Sequence, residues 1–284
     1  MSKFKSAEKP VDLLGRVYHL RLKRGDIAPY VLLPGDPSRV LKIIEFWDEA
    51  KCISKHRAYL TYTGNVDDIP ISVCSTGIGG PSTAIAVVEL AEVGATTFIR
   101  VGSTGAIQPE IACGDLIISS ASVRLDGTSK QYVMAEYPAH AHYEILLALI
   151  EAAEQIKATY HVGITATTSS FYCGQGRRAY KGYWQSWMNN IIPDLSRAGV
   201  LSFEMENATI FTLANLFGLR AGSVCAVFAN RIRNEFKIAG EEKACKVAVE
   251  AVKILYRMDE EKLEAGKKYW NPKLGKRENL FKAK

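Results

Sequence analysis

Short apolar runs rich in β-branched residues alternate along this chain with segments of helical periodicity, and no other feature limits its folding as much. Strands that lie parallel cannot be joined by a tight hairpin and need a crossover, which a helix supplies. The alternation therefore predicts an α/β fold around a substantially parallel sheet. Candidate strands cover residues 30–33, 71–75, 97–101, 116–122, 161–167 and 221–228. Candidate helices cover 38–47, 82–93, 143–157, 207–217 and 242–258, and Pro81 suits a first helical turn, where its missing N–H costs nothing. The least regular stretch, 169–194, carries glycines, aromatics and arginines. Long irregular segments within compact domains are often functional, so it is a candidate substrate loop.

At 284 residues and 48% hydrophobic content, the chain has material for one large domain, 1–284. No apolar run approaches the roughly 20 residues that span a bilayer, and the start MSKFKSAEKP lacks a signal-peptide core. A cytoplasmic protein with no membrane partner is expected. Six cysteines without a C-x-x-C pair, several of them in or beside apolar segments, read as reduced core thiols. The net charge of +6 comes largely from the ends, including a basic extension at about 264–284. Its lysines are not interleaved with a nucleic-acid-binding fold, so a solvated or oligomer-contacting tail is expected and nucleic acid is not.

Four clusters carry chemistry. In LLPGDPSRV, Gly35 allows a close backbone approach, the following helix start offers N–H groups, and Arg39 follows one turn later, an arrangement that suits an anion. In FIRVGSTGAIQP, Arg100 interrupts an apolar strand and is followed by Ser103, Thr104 and Gly105. A buried arginine needs a counter-charge, and either a structural carboxylate or a bound phosphate meets that need. In SFEMENATI, Glu204 and Glu206 flank Met205 and could serve a metal, acid/base chemistry or the adjacent hydroxyls of a sugar. No histidine stands at ligand spacing, and His140 and His142 read as a helix-cap pair. In FYCGQGRRAY, Gln175 and Arg177 sit among Phe171, Tyr172 and Tyr180, a set able to hydrogen-bond and stack on a base.

Taken together and in order, CSTGIGGPSTAIAVVEL, GSTGAIQPEIACGD, ASVRLDG and FEMENAT resemble the nucleoside phosphorylase superfamily, with the bacterial-type uridine phosphorylases nearest. The similarity runs over about residues 18–256. It implies a single-domain, three-layer α/β/α fold with a central mixed, partly barrel-like sheet. It also implies a homohexamer built as a trimer of dimers with active sites shared between neighbours. Carried over residue by residue, the phosphate site falls on Gly35, Arg39, Arg100 and Ser103, with Arg57 reaching in from the adjacent subunit. The ribose site falls on Thr104, Met205 and Glu206, with the neighbour's His19 at the sugar 5′-hydroxyl. Gly105, Phe171, Gln175, Arg177, Glu204 and Arg231 fall on the base side. Bacterial uridine phosphorylases commonly carry a cation-binding glutamate after the loop arginine; this chain has Ala58 there, so no metal is expected.

Purine-specific relatives place an aspartate in the segment matching Ala229, Asn230 and Arg231, where this chain has no acid. With the Gln175 and Arg177 pair, that favours a pyrimidine nucleoside. The resemblance implies a reaction in which inorganic phosphate, the co-substrate, attacks C1′ with inversion, no cofactor being required. Arg100, Gln175, Arg177 and Glu206 are the expected catalytic residues. The rival readings are a purine nucleoside phosphorylase, a nucleosidase and a non-catalytic nucleoside-binding member of the fold.

Overall fold

A computed structural model describes residues 6–275. The strands are β1 (Tyr30–Pro34), β2 (Glu49–His56), β3 (Tyr59–Val66), β4 (Ile69–Cys74), β5 (Thr97–Ala106), β6 (Leu116–Leu125), β7 (Ala139–His140), β8 (Tyr160–Thr168), β9 (Ser202–Glu204), β10 (Arg220–Asn230) and β11 (Glu235–Phe236). The helices are α1 (Pro37–Ile44), α2 (Gly80–Val93), α3 (Tyr143–Ile156), α4 (Ile191–Arg197), α5 (Asn207–Leu216) and α6 (Glu241–Ala265). All strands join one mixed sheet in the order β11-β10-β6-β8-β9-β5-β1-β4-β3-β2, with β7 alongside β6.

The centre of the sheet is β5. On one side it pairs in parallel with β10 along its whole length. On the other side Thr97–Val101 pairs with β1, and Gly105 and Ala106 pair with β9. Residues 102–104 fall between these two partners, so the sheet forks there. From β10 the pairing continues through β6, β8 and β9 back to β5, which closes a five-stranded barrel. Helices α1, α3 and α6 cover one face through a cluster that includes Val40, Ile43, Leu149 and Leu255. Helices α2 and α5 cover the other through Val87, Leu90, Ile210 and Phe211. The three-layer fold with a partly barrel-like sheet is therefore observed.

The six expected strands are present; five of them run past their expected limits, and β4 starts two residues earlier and ends one residue sooner than expected. The hairpin of β2 and β3 was not expected, because edge strand β2 is largely exposed and its sequence EAKCISKH carries no apolar run. Helix α1 ends at Ile44, three residues short of the expected limit, whereas α6 continues seven residues beyond Met258 to Ala265. The irregular stretch is a succession of short 3-10 turns that leads into α4. His142 caps α3 by accepting from the Glu144 N–H. All six cysteines are free thiols, but only Cys74, Cys225 and Cys245 are buried; Cys52 is exposed on β2, and Cys113 and Cys173 are half-buried, so these three depart from the core reading. The front of the basic extension folds back onto the helices, with Trp270 N–H donating to Glu144 and its indole to Glu261. The rest of the extension, 276–284, lies outside the described residues. No helix is long and apolar enough to cross a membrane.

An ionic network ties the start of β10 to α3 and α6. Arg220 reaches Asp259 at 2.7 Å and Glu144 at 2.9 Å, Lys262 reaches both carboxylates at 2.8 Å, and Tyr30 donates to Asp259 at 2.6 Å. Burial alone raises the Asp259 carboxyl, but hydrogen bonds from Arg220, Lys262 and Tyr30 outweigh it and hold the group at about 2. Because the folded value lies below the unfolded 3.8, this contribution is complete above that value and is lost as pH falls from 3.8 toward 2. Asp259→Asn should lower stability at neutral pH by about 2 kcal/mol, as read from urea denaturation. The same variant should lose less stability than wild type between pH 4 and pH 2.

Candidate active site

A cavity of about 390 Å³ opens at the fork in β5. Open α/β sheets bind ligands where neighbouring strands diverge at their carboxyl ends, and this is such a place. The cavity wall contains twelve of the candidate residues: Gly35, Arg39, Arg100, Ser103, Thr104, Gly105, Phe171, Gln175, Arg177, Glu204, Met205 and Glu206. A wider depression of about 560 Å³, lined by Lys9, Leu14, Lys23, Arg24 and Glu92 among others, contains none of them.

One end of the cavity is built from two held arginines. Arg100 is 3% exposed and ion-paired, its Nη2 2.6 Å from Glu206 and its Nε 3.1 Å from Glu204. The structural carboxylate therefore meets its need for a counter-charge. Burial opposes the charge on Arg100, but Glu206 and Glu204 more than offset it, so its pKa is raised. Arg39 is also buried, not a surface residue; its Nε donates to Glu241 at 2.8 Å and its Nη1 to the Val101 carbonyl at 3.1 Å. Each guanidinium keeps one terminal nitrogen without a partner among the described residues, Nη2 on Arg39 and Nη1 on Arg100. Gly35 brings backbone close to them: a Cβ there would lie 3.3 Å from the Gly77 carbonyl and 4.0 Å from Arg100 Nη1. The start of α1 does not offer the expected donors, because Pro37 has none and Asp36 accepts the Ser38 N–H at 2.8 Å.

The carboxylates beside this end have different duties. Glu204 Oε2 accepts the N–H groups of Glu206 at 2.7 Å and Asn207 at 2.8 Å, and Oε1 accepts from the Thr167 hydroxyl. It therefore caps the entry to α5 and braces Arg100 while also lining the cavity. Burial raises its pKa against the opposing charge of Arg100. Glu206 Oε1 accepts the Gly79 N–H at 2.6 Å, which ties α5 to the loop before α2. The Thr104 hydroxyl donates to the Phe203 carbonyl at 2.7 Å and holds β9 against β5.

The other end carries unbalanced positive charge. Arg177 lies over the Phe171 ring at 3.9 Å and donates to the Phe171 carbonyl and to Gln175 Oε1. Arg231 stands behind it, outside the cavity wall, and donates to the Gln175 and Gly176 carbonyls. Neither forms an ion pair among the described residues. Burial, and then the like charge of Arg231, pull Arg177 down to about 10, and burial lowers Arg231 as well. A bulge in β10 between Val227 and Ala229 lets Phe228 and Ala229 both face the cavity. Asn230 is fully buried; its amide donates to the Gln108 and Ile111 carbonyls, and its Oδ1 accepts from Ile232 and Arg233.

Sequence reasoning missed Asp36, Ile78, Phe203 and Phe236 on the wall. Phe236 comes from the two-residue strand β11, too short to leave a pattern, and pairs with Ala229. His19 and Arg57 do not line their own chain's cavity. They share a surface knuckle, where His56 Nδ1 lies 2.7 Å from the His19 carbonyl and Arg57 lies 3.4 Å from the Tyr18 hydroxyl. Among the described residues no cluster of three His, Cys, Asp or Glu side chains is placed to hold a metal ion.

The family model described as the Phosphorylase superfamily matches residues 29–257. The chain belongs to the phosphorylase superfamily. Its relatives include a uridine phosphorylase of Thermococcus kodakarensis, 62% identical over 96% of this chain and 98% of the relative. A uridine phosphorylase of Escherichia coli is 44% identical over 84% of this chain and 98% of the relative. A guanosine phosphorylase of Halorubrum lacusprofundi is 36% identical over 79% of this chain and 88% of the relative. Within this phosphorylase framework Gly102 is the residue that admits the buried arginine. A Cβ there would lie 2.7 Å from Arg100 Cζ, Arg100 Nη2 and Cys225 Sγ. Gly102→Ala should therefore displace the guanidinium, cost about 1–3 kcal/mol of stability and weaken anion binding. Denaturation together with phosphate titration of the folded variant tests both effects.

Proposed function

We propose that the chain is a uridine phosphorylase, a pentosyltransferase that converts uridine and inorganic phosphate reversibly to uracil and ribose 1-phosphate. 2′-Deoxyuridine and thymidine are further candidate substrates. The observation that carries the reading is the polarity of the cavity. Two carboxylate-braced arginines stand at one end, and two arginines without ion pairs among the described residues stand beside Gln175 at the other.

This layout matches the charge flow of phosphorolysis. Phosphate held by Arg39, Arg100 and Ser103 attacks C1′ from the face opposite the base, with inversion. Positioning lowers the barrier, because nucleophile and sugar are held at reacting distance. As the C–N bond breaks, negative charge grows on the uracil ring. The Gln175 amide NH₂ is free to donate to a base carbonyl, and its Oε1, already accepting from Arg177, has a second lone pair for the base N–H. The field of Arg177 and Arg231 is less favourable without an anion than with one, so stabilisation grows toward the transition state. Glu206 is assigned the ribose hydroxyls, Met205 the sugar face and Phe171 the base face.

The purine reading, raised again by the guanosine phosphorylase relative, finds no acid at the base end. Asn230 has every hydrogen-bonding position committed to backbone, and the neighbour that faces the cavity is Ala229. The proposal further places the protein in the cytoplasm, without a cofactor, as a hexamer assembled as a trimer of dimers. In such an assembly the knuckle of His19 and Arg57 completes a neighbour's cavity, which accounts for its distance from its own.

The decisive measurement is phosphate-dependent release of uracil from uridine; folded protein without this activity sinks the assignment. Arg100→Ala should lose about 2–4 kcal/mol of transition-state stabilisation, read as kcat/KM for phosphate. Asn230→Asp should not confer inosine cleavage, and it should destabilise the fold by setting a carboxylate against the Gln108 and Ile111 carbonyls. Measurable inosine turnover by that variant would show that the residue reaches the base.

A further inference from the structure

We propose that Glu89 is a positioning residue: it holds the His19 imidazole in the orientation and tautomer that meet the ribose 5′-hydroxyl in a neighbouring copy's cavity. The proposal rests on the uridine phosphorylase reading and its shared site, and it assigns a role to a helix residue outside that site.

Glu89 lies on α2, is 8% exposed, and gathers three donors from one turn of the N-terminal segment. Its carboxylate accepts the His19 N–H at 3.1 Å and the Leu20 N–H at 2.8 Å, and it meets His19 Nδ1 at 2.6 Å. An ionised carboxylate only accepts hydrogen bonds, so Nδ1 must carry the proton, and in the neutral ring Nε2 is then a bare acceptor. The turn is clamped from the other side as well. The His19 carbonyl faces His56 Nδ1 at 2.7 Å, and the Leu20 carbonyl accepts from the Ser54 hydroxyl at 2.7 Å. Leu20 is fully buried, and the Tyr18 ring stands edge-on to the imidazole at 4.8 Å. The ring therefore has one defined direction, with its Nε2 edge turned away from Glu89 and its side chain still 29% exposed.

This construction is more than packing requires. A buried carboxylate that only tied the backbone would be satisfied by the two N–H groups; the shortest of its contacts goes instead to the ring. In the proposed reaction the base is held by Gln175 and Arg177, C1′ faces phosphate, and the ring hydroxyls lie at Glu206. The 5′-hydroxyl is the remaining polar group of the nucleoside, and an oriented imidazole nitrogen suits it.

The test compares uridine with 5′-deoxyuridine, which lacks only that hydroxyl, at saturating phosphate. Glu89→Gln keeps an acceptor for the backbone N–H groups but gives up the charge that fixes the ring. The ratio of kcat/KM values, uridine over 5′-deoxyuridine, should fall about tenfold, the size of one well-placed hydrogen bond. His19→Ala should lower it at least as far, and the double variant no further than His19→Ala alone. Equal losses on the two nucleosides in Glu89→Gln, or additive losses in the double variant, make Glu89 a purely structural residue and overturn the proposal. Should Glu89→Gln fail to fold, the imidazole ¹⁵N shifts of the wild-type protein decide instead: protonated Nδ1 supports the proposal, and protonation only at Nε2 overturns it. Failure of the underlying reading is seen separately, as wild-type protein without phosphate-dependent turnover of uridine.

Discussion

A guanidinium buried in the middle of a β-strand costs several kcal/mol unless it is matched, and the way β5 accommodates Arg100 organises the elements around it. Gly102 leaves the volume into which the side chain folds back along its own strand. Glu204 and Glu206 supply the counter-charge. Those carboxylates have second attachments: Glu204 caps α5 and takes the Thr167 hydroxyl from β8, and Glu206 takes the Gly79 N–H ahead of α2. A single cation thus joins β5, β8, β9 and the starts of two helices. The fork where β1 and β9 part along β5 is what allows this convergence, because a continuous partner strand would occupy the space that the carboxylates fill.

The same arrangement gives the cavity its direction. At the Arg100 end each positive charge is braced by a carboxylate, so an incoming anion meets donors that are already oriented and need little reorganisation. At the Arg177 end the two guanidiniums, among the described residues, hydrogen-bond only to neutral groups, and Arg177 is brought down to about 10 by burial and by Arg231. That end is strained electrostatically until negative charge arrives. In the proposed reaction, this polarity would hold phosphate at the Arg100 end and reserve the unbalanced field for the departing base, directing binding energy to the transition state.

The fold was legible because buried parallel strands leave apolar runs that need no partner to be seen. Arg100 was legible for the complementary reason, as a charge where the pattern demanded none. What escaped was set by pairing. Strands β9 and β11 are three and two residues long and exist only because β5 and β10 offer them edges. The bulge that turns both Phe228 and Ala229 inward is likewise a property of two strands in register. Glu204 was assigned to the base side, but its second role as a cap was not legible, since it depends on where α5 begins. The expected donors at the start of α1 failed on a local detail, the Asp36 side chain turning back onto Ser38.

The knuckle shows the limit of single-chain reasoning from another side. Arg21 and Arg57 both hold left-handed backbone, with φ of 58° and 56°, where a side chain costs on the order of 1 kcal/mol relative to glycine. Both guanidiniums gather around the Tyr18 ring, 5.5 and 5.8 Å from its centre, beside the His19 that Glu89 holds. The ring contacts and the Glu89 pair give each of these three basic groups an interaction within its own chain. On the proposed shared-site reading, this surface would supply Arg57 and His19 to a neighbouring copy, since the cavity's own wall lacks both.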